Sequence, residues 1–409
     1  MQQSDLFVLV CAFFVFLMQP GFIAFECGMS RVQHALPVAL KNLIDWALTT
    51  LVFGFVGVGL MFGASRDLFG TSGFGFDLDG IVNNTGISTP ILVMFQLGFA
   101  GTAVTVISGA LVERITFFAY VCISVVTAGL IYPLIGHWVW GGLLGGEQGW
   151  LESLGFHDFA GASVVHVTGA TVAIVGVLMI GPRVGRFGAD GSMQPFKASA
   201  PALSVLGVMI LWIGWWAFNA GSLLELNSDV GQIVLVTNVG GAAGVVGAAL
   251  FRAVRENDLD IAETLTGGTL AGLVAVTAGA DVLDPWAALV IGVCAGFSFG
   301  MAAMALRRRQ IDDALLAFPV HGVGGAIGTM AVALYARPGS FGQGRLAQFA
   351  VQGLGLVVVL AWAGAMSFIV FSVLRRTVGL RIAPSVEVAD DRRAEPPRER
   401  FQREWADLL

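Results

Sequence analysis

Apolar residues in this chain run in long blocks broken by short polar stretches, without the spacing that gives a helix one buried face and one wet one. Eleven blocks come near the roughly twenty residues needed to cross the hydrocarbon of a bilayer. They cover residues 4–27, 43–63, 90–112, 117–136, 160–181, 201–220, 231–252, 265–281, 285–305, 315–335 and 346–374. This pattern predicts an all-α membrane protein of about eleven transmembrane helices. The first block starts almost at Met1, with no basic segment before it and no small-residue cleavage site after it. It reads as a retained helix and not as a signal peptide.

The polar stretches between blocks divide by charge. Those after odd-numbered blocks collect Arg31, Lys41, Arg114, Arg183, Arg186, Lys197, Arg252, Arg255, Arg307, Arg308, Arg309, Arg375 and Arg376. The opposite set holds Arg66, Arg337 and Arg345, alongside Asp67, Asp77, Asp79, Glu147, Glu152, Glu225 and Asp229. Lys and Arg accumulate on the cytoplasmic side, so the chain is expected to run N-out and C-in.

Composition supports this reading. Of 409 residues 56% are hydrophobic and 12% charged, with a mean hydropathy of +0.80. Soluble domains carry about 25% charged residues, and half of that does not cover a water-facing surface. The net charge of −6 comes with no basic patch interleaved with aromatics, which excludes a nucleic-acid partner. Cys11, Cys27, Cys122 and Cys294 sit singly in apolar segments and read as small buried residues, with no metal spacing. No phosphate-binding loop, dinucleotide fingerprint, nucleophile elbow or HExxH motif is present. Catalytic residues, metal and cofactor are therefore not expected, nor is an enzyme.

Ionisable residues inside the blocks carry the functional signal, because at membrane depth they are expensive. His166 and His321 each follow an aspartate by eight residues: Asp158-Phe-Ala-Gly-Ala-Ser-Val-Val-His166 and Asp313-Ala-Leu-Leu-Ala-Phe-Pro-Val-His321. They fall in the fifth and tenth blocks. Two five-block halves, about 1–182 and 200–336, are thus expected, with an extra helix at about 346–374. Five is odd, so the second half enters the membrane inverted, and an in-plane pseudo-two-fold brings the histidines together near the midplane. His34, His137 and His157 fall in loops or at helix ends and read as solvated or capping. Asp312 and Asp313, beside Arg307–Arg309, read as an ion pair or helix cap.

Several motifs, in order on the predicted helices, resemble the Amt/Mep/Rh ammonium transporter family, most closely its prokaryotic Amt branch, from about residue 5 to 382. They are Glu-Cys-Gly-Met-Ser-Arg at 26–31, Lys-Asn-Leu-Ile-Asp at 41–45, Phe95-Gln-Leu-Gly-Phe99 and Gly-Ala-Leu-Val-Glu-Arg at 109–114. Further matches are His137-Trp-Val-Trp140, Asp158…His166, Trp215-Trp-Ala-Phe218-Asn-Ala-Gly-Ser222 and His321-Gly-Val-Gly-Gly. The resemblance implies an outer ammonium site at Phe99, Trp140 and Ser222, with Asp158 beneath it as a cap that orients the site. It implies a gate of stacked rings from Phe99 and Phe218, and a hydrophobic pore lined by His166 and His321. Taken singly, Trp140 also suits an interfacial belt and the phenylalanines suit plain packing. Trp215 is expected near the floor of the outer site.

The family likeness implies a homotrimer in the bilayer of a prokaryotic inner membrane, with ammonium or ammonia as substrate. Residues 1–380 then form the transmembrane domain and 381–409 a charged, solvated cytoplasmic tail or linker. After Val378-Gly-Leu-Arg the tail departs from the family pattern that receives a PII-type regulator, which puts that partner in doubt. The departure leaves a second expectation open: an ammonium sensor signalling through a fused or partner signalling domain.

Overall fold

The structure, a computed structural model, describes residues 2–64, 68–255 and 259–388. Among these, regular structure is helical, and strand-like pairing is confined to isolated bridges such as Ile115 with Arg381. Among the described residues ten helices are long and apolar enough to cross a bilayer, and one shorter apolar helix of 17 residues joins them. In chain order they are α1 (Gln3–Met29), α2 (Val32–Phe62), α3 (Thr89–Leu111), α4 (Phe117–Trp140), α5 (Ala162–Ile180) and α6 (Pro201–Gly221). There follow α7 (Asp229–Val254), the shorter α8 (Ile261–Thr277), α9 (Pro285–Arg308), α10 (Phe318–Tyr335) and α11 (Arg345–Thr377). Each overlaps one apolar block of the sequence. Helix α11 buries 28% of its most apolar window yet has a hydropathy of 2.4 there. Its outward faces are therefore apolar, which suits lipid and not water. The protein passes through a membrane many times.

Proline and glycine explain several irregularities. Helix α1 breaks at Leu17, between Gln3–Phe16 and Met18–Met29. Pro20 lies four residues after Phe16, where its ring opposes the preceding turn's carbonyl and supplies no N–H. Pro133 and Pro319 likewise accompany wide π-helical turns, at Thr127–Ile131 in α4 and Phe318–Val323 in α10. Helices α7, α8 and α9 pack backbone to backbone. A Cβ on Gly296 would meet the Gly244 carbonyl oxygen at 2.0 Å, so only glycine allows that approach.

Three expectations are corrected. Helix α2 begins at Val32 and not near 43, so Lys41 and Asp45 lie inside it. Charge lowered the hydropathy there, but internal partners compensate: Lys41 Nζ donates to the Ile115 carbonyl at 3.1 Å, and the Tyr120 hydroxyl donates to Asp45. His34 and His137 are buried, not solvated. His34 Nε2 bonds the Glu387 carbonyl, while His137 Nδ1 bonds the Met61 carbonyl within α4, which runs four residues past the apolar block.

The third correction concerns the tail. Residues 379–388 are docked against the bundle. Glu387 is fully buried, its carboxylate accepting from the Val184 N–H at 2.6 Å and from Arg381 at 2.7 Å. The Thr116 N–H bonds the Leu380 carbonyl and the Ile382 N–H bonds the Arg114 carbonyl. Charge composition suggested solvation, yet these charges satisfy one another. Residues 389–409, like Arg66 and Asp67, lie outside the described residues.

The loops after α1, α3, α5 and α9 meet at one end. Glu113 pairs with Arg31 at 2.7 Å and Arg183 at 3.2 Å, and Asp312 pairs with Arg183 at 2.8 Å. The guanidiniums of Arg31, Arg183 and Arg186 cover the Phe196 ring at 4.4–5.3 Å. Asp312 thus forms the expected ion pair, but with Arg183 instead of the Arg307–Arg309 run; Arg307 pairs with Glu263.

Candidate functional site

The two Asp-to-His stretches build one construction twice. The first amides of a helix have no partners within it and attract a carboxylate. Asp158 accepts from four of them: Gly161 (3.0 Å), Ala162 (2.8 Å), Ser163 (2.7 Å) and Val164 (2.9 Å). Gly161 makes the sharp entry at φ +102°, where a side chain would be strained. Burial pushes the Asp158 carboxyl above its ordinary range, and the four amides pull against that. In the other half Asp313 accepts from Ala317 (3.0 Å) and Phe318 (2.7 Å), and burial raises its pKa to about 6. Past each aspartate the helix opens with a π-helical segment, Ala162–Val167 and Phe318–Val323, carrying His166 and His321. Such wide turns recur at functional positions because they re-aim side chains.

The two imidazoles meet. His166 Nδ1 and His321 Nδ1 are 3.2 Å apart, with ring centroids at 5.1 Å and planes inclined by 26°. One nitrogen must donate and the other accept, so the tautomers are coupled. His166 is fully buried, and its Nε2 has no hydrogen-bond partner among the described residues. The hydroxyls of Ser163 and Thr329, 2.5 Å apart, tie α5 to α10 beside this pair.

An aromatic column leads to the imidazoles. Phe99 of α3 and Phe218 of α6 stack at 3.8 Å and 15°, both buried. Trp140 meets Phe99 edge-on at 6.1 Å, and its indole N–H donates to the Asp158 carbonyl at 2.7 Å. Phe218 in turn lies 5.8 Å from the His166 ring. Trp140, Phe99, Phe218, His166 and His321 are thus consecutive neighbours. Ser222, one turn beyond Phe218, donates its hydroxyl to the Phe218 carbonyl at 2.9 Å, leaving its oxygen lone pairs free to accept.

Trp215 is placed differently from the expectation. It is fully buried and stacks on His166 at 5.0 Å and 23°, with its N–H donated to Thr277 Oγ1 at 2.9 Å. Since it precedes Phe218 by three residues on α6, one helix face presents both. Phe95, packed on Phe99 at 4.9 Å, and Thr277 had no assigned role; a helical spacing of four from Phe99 was the available signal for Phe95. Nothing in the sequence marked Thr277.

Paired imidazoles below stacked phenyl rings, within a many-helix bundle with an apolar exterior, define a polytopic membrane protein of the transporter class. A model of the Ammonium Transporter Family matches residues 6–395, and the chain belongs to that family. It is 37% identical to ammonium transporter Amt2 of Archaeoglobus fulgidus, covering 93% of this chain and 84% of that one. It is also 38% identical to the putative ammonium transporter sll0537 of Synechocystis sp., covering 94% and 71%. A solved structure titled Sensor Amt Protein superposes with a TM-score of 0.90 at 37% identity, covering 94% of this chain and 96% of the other. Saccharomyces cerevisiae Mep2 superposes at 0.82 with 26% identity, covering 93% and 87%.

Proposed function

We propose that this protein conducts ammonium or ammonia through the column, with His166 and His321 lining a narrow pore in each subunit. The observation that carries the reading is the unpartnered Nε2 of buried His166 directly beyond the Phe99–Phe218 stack. A buried imidazole nitrogen without a partner costs free energy that a small passing hydrogen-bonding molecule offsets. Outside the stack, the faces of Trp140 and Phe99 suit a small cation, and Ser222 accepts an N–H that potassium cannot offer. Asp158 acts indirectly, since its carboxylate is engaged by four amides while its carbonyl fixes Trp140. The phenyl stack blocks hydrated ions and opens for a small neutral molecule by ring motion.

The reading carries with it two inverted halves, about 1–182 and 200–336, an N-out, C-in course in the inner membrane, and a homotrimer. The repeated Asp–π-turn–His construction supports the inverted halves, and the gathering of basic loops at one end supports the orientation. A second reading is an ammonium sensor. The similarity to the Sensor Amt Protein structure and the docked segment 379–388 favour it.

The test is ammonium-evoked current on a solid-supported membrane, with purified wild type beside the His166→Ala/His321→Ala protein. A saturable current without a potassium response, lost in the double variant, is expected. Silence in both, with ammonium binding retained in calorimetry and no ammonia passage by a pH-sensitive dye, overturns transport for sensing.

A further inference from the structure

Helices α1 to α4 enclose a second group of polar side chains, separate from the column residues. Glu26 on α1 is 1% exposed, and its Oε2 accepts from Asn42 Nδ2 and Ser108 Oγ, both at 2.8 Å. Asp45 on α2 is fully buried and accepts from the Tyr120 hydroxyl of α4. Thr105 of α3 donates to Gln19 Oε1 at 3.1 Å, and Lys41 holds the Ile115 carbonyl.

These two acids differ from the other buried ones in their partners. Glu113, Asp312 and Glu387 face guanidiniums, and Asp158 and Asp313 accept backbone amides. Among the described residues, neither Glu26 nor Asp45 forms an ion pair within 4.0 Å. Moreover Asn42 Oδ1, Asp45 Oδ1 and Thr49 Oγ1 have no partner within hydrogen-bond distance among the described residues, on side chains of residues no more than 1% exposed. Positions 42, 45 and 49 follow i, i+3, i+7, so these oxygens share one face of α2. A carboxylate oxygen without a donor at membrane depth is costly as an anion, whereas a protonated one donates along such a row.

We propose that Glu26 and Asp45 form a proton-exchange site that holds one shared proton along the oxygen row of α2. The groups facing it from the surrounding helices are Lys41, Tyr120, Asn42, Ser108, Thr105 and Gln19. Its use in transport rests on the conduction reading above. When ammonium gives up a proton to cross as ammonia, the N–H electron pair stays on nitrogen and the proton needs a base. Asp158 is already saturated by amides; Thr105, six residues beyond Phe99 on α3, lies about 9 Å further along the helix axis. The proton then leaves past Lys41 at the end where the basic loops gather.

Infrared difference spectroscopy on the full chain in lipid vesicles tests the site itself, comparing wild type, Asp45→Asn and Glu26→Gln near neutral pH. We expect a protonated-carboxyl stretch that shifts in deuterated buffer, disappears in Asp45→Asn and moves in Glu26→Gln. Its absence from wild type, or its persistence unchanged in both variants, overturns the proposal. Charge moved per molecule of labelled methylammonium taken up is the second readout. It is expected to fall severalfold in either variant while uptake continues; an unchanged ratio in both overturns the transport use. Should Asp45→Asn fail to fold, Glu26→Gln carries both readouts. A wild type that moves neither charge nor label sinks the conduction reading instead, and the infrared band still decides the proton site.

Discussion

At the scale of single residues, chemistry and packing are divided between neighbours. Trp140 faces the stack, while its orientation is set by one hydrogen bond to the Asp158 carbonyl. Trp140→Leu removes the aromatic face, and with it about 1–2 kcal/mol of cation attraction. Half-saturation of the ammonium current is expected to rise roughly 5- to 30-fold, with selectivity over potassium reduced; unchanged values would place the cation elsewhere. Asp158→Ala should act through stability. It strips the acceptor from four buried amides, so a loss on the order of 2–4 kcal/mol is expected as a lower melting temperature in detergent. Replacing His166 or His321 by Glu should change the ratio of charge to ammonia moved, and an unaltered ratio would make the pair a structural brace.

Among elements, close approach and helix irregularity decide the outcome. The contact of α7 with α9 depends on absent side chains: Gly244 and Gly296 are tighter than any Cβ permits. Gly296→Leu should therefore separate these helices at a cost of about 1–3 kcal/mol or more, read as a lower melting temperature or aggregation on size exclusion. A surface glycine such as Gly231, with nothing within 4 Å of its Cβ position, is the control and should tolerate alanine. The π-helical turns that carry both histidines show why element boundaries matter to chemistry. An extra residue in a turn re-aims the side chains within and after it, and here the widened turn follows an aspartate cap in both stretches.

For the whole molecule, the basic end clamps first-half and second-half loops together. Burial would raise the Asp312 carboxyl, but the Arg183 guanidinium outweighs it and holds the group well below the carboxylate range. A depressed native pKa gives stability that is present above the ordinary value of 3.8 and lost as pH falls through the native value. Arg183→Gln removes the nearest cation from Asp312 and one of two from Glu113, while Arg31, Arg114 and Arg186 stay in place, so the cost at neutral pH is about 2–3 kcal/mol. Melting temperatures across a pH series should show this deficit narrowing in acid, where the less fully compensated carboxylates take up protons; a constant deficit would assign the loss to packing. Glu387→Ala should free segment 379–388 from Val184 and Arg381, detected as faster amide exchange there with the helices unchanged.

The sequence by itself determined the membrane class, the eleven apolar segments and the two histidines, because burying apolar length in lipid is a property of composition and segment length. The motif order named the family, and Asp158 could be read as a cap since helix starts need acceptors. Tertiary structure alone decided what depends on partners distant in the chain. Lys41 and Asp45 could enter α2 only because Ile115 and Tyr120 meet them, and Glu387 is buried only because Arg381 and Val184 satisfy it. Trp215 could stack on His166 only once α5 and α6 had packed. Hydropathy counts the cost of a charge on its own segment, whereas the compensating hydrogen bond lies on another helix and exists only in the folded bundle.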